Sequence, residues 1–307
     1  MSPESRKEAQ NEMILTVPDP FSFSENINYL ARSQNECMYH IENDSIYKAV
    51  PAGGRCLMTE ISDAGAAGIR IRLLEQPNGV SRETLEDIGR YVRDWFDLDT
   101  DLTPYCDLAR RDPLLRQVID RFWGLRIMGI PDLFEALCWG IIGQQINLPF
   151  AYTLKRRFVE SFGHSVEWSG RNYWLFPSPH RIAQLTVPEL YALQMTTKKA
   201  EYLIDTARLL AEGKITKAML LGDGGLKHAE KRLVAIRGIG PWTANYVLMR
   251  CLRIPSAFPL EDVGLHNAIK HLLGLDRKPT LEEVRRLAAD WTGWEAYATF
   301  YLWRCLY

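Results

Sequence analysis

The chain has 307 residues, of which 47% are hydrophobic and 24% charged, with a net charge of −1 at pH 7. Those proportions belong to a soluble globular protein with room for one large or two ordinary domains. The near-neutral balance excludes a global basic field, although a local basic patch needs no basic chain. The polar start, "MSPESRKEAQNEM", has no apolar signal core, and no apolar run nears the length of a membrane span, so a cytoplasmic location is expected.

Residues 1–103 contain short β-type runs, "EMILTVP", "CMYHIE", "SIYKAV", "RCLMTEIS" and "GIRIRLLE", separated by turns such as "PAGG" and "DAGAAG". Two helical patterns flank them, "FSENINYLARS" and "SRETLEDIGRYVRDWF"; the second opens at Ser81-x-x-Thr84, a capping box without its usual Glu. This order predicts an α+β domain with an antiparallel sheet. Residues 104–307 read as a mainly α-helical domain, beginning around "TPYCDLARRDPLLRQVIDRF". "DLFEALCWGIIGQQI" has Leu133, Phe134, Leu137, Ile141 and Ile142 at helical spacing, and "KKAEYLIDTARLLAEGK" ends at Gly213, a good residue just past a helix. "TLEEVRRLAADWTG" begins with a full capping box, Thr280 and Glu283. A turn-rich string, "GHSVEWSGRNYWLFPSPH", divides the helices.

The six cysteines, Cys37, Cys56, Cys106, Cys138, Cys251 and Cys305, form no CxxC pair and read as free thiols of a reducing compartment. The histidines show no HExxH-type pair, and His266 and His271 read as helix-surface residues. No metal site is expected among the side chains, and no cofactor is required.

Residues 226–253 carry the strongest local signal. "LKHAEKRLVAI" puts Leu226, Ala229, Leu233 and Ile236 on one helical face. Gly238 and Gly240 then supply backbone conformations that a side chain would resist. Pro241 suits the first position of a second helix, "PWTANYVLMRCLR", running to about Arg253. Such a turn offers free amides at a helix N-terminus, a site shaped for a phosphate. Lys227, Lys231, Arg232, Arg237, Arg250 and Arg253 surround it against a single acid, Glu230. A bare GxG would fit an ordinary helical hairpin equally well.

The full string, Leu233-x-x-Ile236-x-Gly238-Ile239-Gly240-x-x-Thr243-Ala244, resembles the helix–hairpin–helix of the DNA-glycosylase superfamily. The resemblance implies that Gly238, Ile239, Gly240 and Thr243 bind DNA phosphate. It also implies a catalytic aspartate after a Pro-bearing loop, and "IPSAFPLED" supplies Pro255, Pro259 and Asp262. Taken alone, Asp262 reads as the N-cap of "VGLHNAIKHLLG". The helix before the loop runs about 20 Å and the loop reaches about 27 Å, so Asp262 can fold back beside Tyr246. Glu261 is a rival that spacing alone leaves open.

Trp242 stands where bifunctional members carry a lysine, which implies a monofunctional enzyme using water in place of a Schiff base. "DLFEALCWGIIGQQI" and "MTTKKAEYLIDTARLLAEG" resemble segments of the alkylation-repair branch, the bacterial DNA-3-methyladenine glycosylase II family, over most of residues 104–307. The sheet domain is similar to that family's extra domain. The resemblance implies excision of cationic alkylated purines from double-stranded damaged DNA by a monomer, with Trp242, Tyr246, Trp294 and Gln144 in the base pocket. A duplex wedge falls at Gln145 or Ile146, and a monovalent cation on the hairpin backbone fits the same resemblance. The competing readings are a glycosylase for another lesion, such as an oxidised or deaminated base, and a non-catalytic DNA-binding module.

Overall fold

The computed structural model describes residues 11–74, 80–222 and 224–306. The chain opens with β1 (Glu12–Leu15) and α1 (Phe23–Leu30), then β2 (His40–Glu42), β3 (Ser45–Ala52), β4 (Arg55–Asp63), β5 (Ile69–Leu73) and α2 (Arg82–Trp95). The five strands form one antiparallel sheet in the order β1-β5-β4-β3-β2, as the alternating runs predict. In β5, Ile69, Ile71 and Leu73 are buried while Arg70 and Arg72 point out, the period of a strand with one core face. Ile88, Val92 and Trp95 of α2 are buried with that face. The incomplete capping box works through hydroxyls: Ser81 Oγ accepts from the Thr84 amide at 3.1 Å and lies 3.0 Å from Thr84 Oγ1.

The other sheet face is covered by a hairpin inside the string that reads as a turn. β6 (His164–Trp168) and β7 (Arg171–Leu175) pair antiparallel, and Tyr173 packs on Ala49 and Met58, which face each other across β3 and β4. Ser169 and Gly170 between them take φ of 49° and 76°, the two left-handed residues of a two-residue hairpin turn. The flanking Gly, Ser and Pro conceal a short alternating pattern on either side of Ser-Gly.

The remainder is helical: α3 (Thr103–Arg111), α4 (Leu133–Ile142), α5 (Leu148–Phe162), α6 (Pro179–Ala183), α7 (Val187–Tyr191), α8 (Thr197–Ala211), α9 (Lys217–Leu221), α10 (Gly225–Val234), α11 (Pro241–Arg250), α12 (Val263–Leu273), α13 (Leu281–Leu287) and α14 (Glu295–Trp303). α3 stops early because Pro113 drives Asp112 to an extended ψ of 127°. α8 ends at Gly213 with φ 65°, and Thr280 and Glu283 close a complete capping box on α13. α11 stops at Arg250, short of the expected Arg253, which takes φ 58° and turns its guanidinium to Asp94 and the Ile127 carbonyl.

One continuous core joins the sheet domain to the helices. Tyr29 of α1 and Phe300 of α14 have ring centroids 4.5 Å apart. A buried ion cluster adds a polar tie: Lys155 Nζ of α5 donates to Glu135 of α4 at 3.0 Å and lies 3.3 Å from Glu36 of the sheet domain. Burial alone would raise the Glu36 pKa, but the Lys155 charge and the Met38 amide outweigh it and hold it below its ordinary value.

A depressed folded-state pKa stabilises the protein above the unfolded value of about 4.3 and ceases to do so as pH falls through the folded value. Lys155→Met should therefore destabilise the protein by roughly 3 kcal/mol at pH 7, leaving two buried carboxylates without their cation. The deficit should narrow on acidification as Glu36 protonates. Urea unfolding at pH 7 and pH 4 measures both, and equal stability of the two proteins at pH 7 would show the cluster to be dispensable.

Candidate active site

α10, the turn at 235–240 and α11 make the expected helix–hairpin–helix. Gly238 has φ 90°, and a Cβ there would lie 2.3 Å from the Tyr202 ring, so both conformation and space require glycine. Gly240 differs from expectation. Its φ of −90° and ψ of 175° suit any residue, and a Cβ there would meet nothing within 4 Å. Its openness faces outward. Among the described residues, neither the Gly238 nor the Gly240 amide has an intramolecular acceptor. Gln144, just past α4, braces the turn: its Nε2 donates to the Gly238 carbonyl at 2.9 Å and to Thr243 Oγ1 at 3.2 Å. A Cβ on Gly140 would lie 2.5 Å from Thr243 Cγ2, which shows how closely α4 and α11 approach.

The six cations of the hairpin do not form one patch. Arg250 is buried, donating to the Met128 carbonyl at 2.7 Å and to the hydroxyls of Tyr29 and Tyr246 at 3.1 and 3.0 Å. Arg253 turns inward, and Arg237 pairs with Glu201 and Asp205. Lys227 and Lys231 remain exposed, with Arg232 half-buried.

Beside the hairpin opens a cleft of about 1210 Å³. Asp262 lies in its wall, 8% exposed, at the N-cap of α12. Its Oδ1 accepts from the Leu265 amide and from Trp303 Nε1, both at 2.7 Å, and its Oδ2 from Trp242 Nε1 at 2.9 Å. The loop thus folds back further than the middle of α11, to its first turn. Trp242 and Tyr246 stack with centroids 5.6 Å apart, and Tyr246 and Trp303 lie 6.2 Å apart at 31°. Burial pushes the Tyr246 phenol pKa up, against the Arg250 charge, so the ring stays neutral. Glu261 is exposed at the cleft rim.

Trp294 does not line this cleft; it packs on Tyr105 and Tyr297. Trp303, absent from the expected set, stands there in its place. Nine residues separate the two indoles along α14, and at 3.6 residues per turn that is half a turn out of phase, so they leave the helix on opposite sides. Tyr29 and Arg32 also reach the cleft, with the guanidinium 3.8 Å from the Tyr29 centroid. No local pattern marks either residue in the sequence. Gln145, at φ 58°, is exposed on the cleft edge, whereas Ile146 packs partly into the core. His266 is not a plain surface residue: its ring nitrogens face the carbonyls of Leu260 and Pro279 at 2.9 and 3.0 Å, while His271 is exposed. Among the described residues, no cluster of His, Cys, Asp or Glu is placed to hold a metal ion.

Residues 138–293 match the HhH-GPD superfamily of base excision DNA repair proteins, and residues 8–137 match the N-terminal domain of 8-oxoguanine DNA glycosylase. The chain is 50% identical over 300 residues to the DNA-3-methyladenine glycosylase of Bacillus subtilis (strain 168), covering 98% of this chain and 99% of that one. It is 27% identical over 285 residues to DNA-3-methyladenine glycosylase 2 of Escherichia coli (strain K12), covering 92% and 94%. The fold is similar to the solved 3-methyladenine DNA-glycosylase of Archaeoglobus fulgidus, with a TM-score of 0.78 at 23% identity over 95% of this chain and 96% of that one.

The two hairpin glycines should separate under mutation. Gly238→Ala should lower stability by about 1–3 kcal/mol through strain and the Tyr202 contact. Gly240→Val should leave the melting temperature nearly unchanged yet weaken binding to every duplex sequence alike, since amides read phosphate and not bases. Thermal melts and fluorescence polarisation with two unrelated duplexes measure this; unchanged affinity in Gly240→Val would make the hairpin a structural turn only.

Proposed function

The chain belongs to the HhH-GPD superfamily of base excision DNA repair proteins, and on that footing we propose that it is a monofunctional DNA glycosylase for cationic alkylated purines. Its substrates would be bases such as 3-methyladenine and 7-methylguanine in double-stranded DNA, and its product an abasic site. One observation carries the reading: a nearly buried carboxylate, Asp262, lies among aromatic rings in an open cleft, beside a helix N-terminus with unengaged amides.

The hairpin amides and the α11 N-terminus grip a phosphate, and as a monomer the protein turns the damaged nucleotide out of the stack. Unstacking costs a few kcal/mol, less at a damaged pair. Gln145, exposed on a left-handed corner, is our choice to fill the gap, because Ile146, although it also lines the cleft, packs partly against the core. The Tyr246 and Trp303 rings, 6.2 Å apart and inclined at 31°, would have to swing toward parallel and open slightly to admit a base between them.

Methylation at N3 or N7 makes the base a cation with a weakened glycosidic bond, so it departs without a general acid. Departure leaves an oxocarbenium-like sugar, which Asp262 stabilises while orienting or deprotonating the attacking water. No amine competes at this position. Trp242 occupies it, and Lys199, behind the turn, donates to the Ile142 carbonyl at 2.8 Å. The chemistry calls on no cofactor, and the turn's carbonyls are the groups a monovalent cation would use. The match of residues 8–137 favours a second reading, excision of oxidised guanine, which Trp242 in the lysine position weighs against in its lyase form.

Asp262→Asn should fold and bind duplex DNA nearly normally but release methylated bases at least about 100-fold more slowly in single turnover. Near-normal release would move the assignment to Glu261. The wild-type product should be an abasic site in an intact strand. On a denaturing gel, nicks should appear only after mild alkali; enzyme-dependent nicks without it, or a borohydride-trapped complex, would show an amine nucleophile elsewhere.

A further inference from the structure

We propose that Asp262 works through a single open acceptor direction on Oδ2, and that Trp303 is the positioning residue that fixes it, in a gap that Gly264 leaves clear. This rests on the reading of Asp262 as the group that meets the sugar. A carboxylate has about four acceptor directions. The Leu265 amide and the Trp303 indole fill both on Oδ1, each at 2.7 Å, and the Trp242 indole takes one on Oδ2 at 2.9 Å. The remaining direction belongs to Oδ2. All three donors are neutral, and an indole N–H only donates. They orient the carboxylate and satisfy its burial without neutralising its charge, as an ammonium would.

Gly264 provides the independent observation. It lies in the first turn of α12, two residues past the cap, and its backbone is outside the left-handed region, so conformation does not explain it. Space does. A Cβ there would lie 2.9 Å from Asp262 Oδ1 and 3.1 Å from both Cδ1 and Nε1 of Trp303. Any side chain at 264 would press on the bond between the indole and the carboxylate.

The test uses duplexes holding an abasic-site analogue in place of the lesion, one a cationic pyrrolidine and one a neutral tetrahydrofuran. Neither carries a base, so ring stacking is removed from the comparison. The affinity ratio of the two reports the carboxylate at the sugar. Wild type should prefer the pyrrolidine. Trp303→Phe should shrink that preference about tenfold or more, the effect of a charge-assisted hydrogen bond, read as the ratio so that any common loss of affinity for both duplexes cancels. Gly264→Ala should move the ratio in the same direction without removing any polar group. Asp262→Asn should abolish the preference, and adding Trp303→Phe to it should change nothing more. A full preference in both Trp303→Phe and Gly264→Ala overturns the proposal, as does an equal loss from Trp303→Phe in the Asp262→Asn background. A wild type without preference, together with normal base release by Asp262→Asn, overturns the functional reading itself and is told apart by that second measurement.

Discussion

A carboxylate removed from water has to be hydrogen-bonded, or the fold loses several kcal/mol. Asp262 meets that demand through three neutral N–H groups drawn from three places: the first turn of α11, the first turn of α12 and the last residue of α14. Bringing them together fixes much of the architecture. The loop 251–261 must return to the hairpin, and α14 must end with its indole against the α12 N-terminus. α12 must also begin with Asp262 as its cap, so the residue that reads as a structural N-cap is the same one we propose as the catalytic carboxylate.

The sheet domain contributes to this arrangement through its first helix. Tyr29 and Arg32, at the end of α1 and just after it, reach the cleft. Arg250 ties the Tyr29 and Tyr246 hydroxyls to the Met128 carbonyl from beneath. Behind them, Lys155 holds Glu36 and Glu135 together across the two halves of the chain. The cleft floor is thus built jointly by residues before and after position 103. In such a fold, damage to the sheet domain propagates to the aromatic pocket through packing, with no need for a contact to the substrate.

The sequence is legible where local rules decide the outcome. Strand alternation around Ile69 and Ile71, the caps at Ser81 and Thr280, and the turn at Gly238 follow from periodicity and backbone chemistry acting over a few residues. The hairpin is legible through its two glycines and proline, and Asp262 through the family resemblance, since spacing alone leaves Glu261 open. What escapes is decided by tertiary phase. Trp294 and Trp303 look alike in the string, and only the half-turn between them along α14 settles which one meets Asp262. Arg250 and Arg253 read as part of the positive charge around the hairpin, whereas Arg250 is buried at the end of α11 and Arg253, just past it, turns inward. Gly264 is glycine because Asp262 and Trp303 crowd the place of its Cβ, a contact made across the fold that no local pattern announces.

The same geometry bears on how a charged base is distinguished from a normal one. The guanidinium of Arg250 lies 5.4 Å from the Tyr246 ring centroid. A cationic base stacked on that ring would share it with Arg250 at no more than about 9 Å, where like charges repel by about 2 kcal/mol at an effective dielectric constant of 20. The cation–π gain at a desolvated ring is about 0.5–2 kcal/mol. The two effects roughly cancel, so the rings supply shape and stacking while giving little net preference for positive charge. Discrimination then falls to the bond-breaking step, where a methylated base already carries the charge that makes it leave. Asp262, hydrogen-bonded by three neutral donors, is the group we propose to face the sugar cation that its departure creates. On this account an undamaged purine can enter the slot and still survive, because it remains bonded to its sugar.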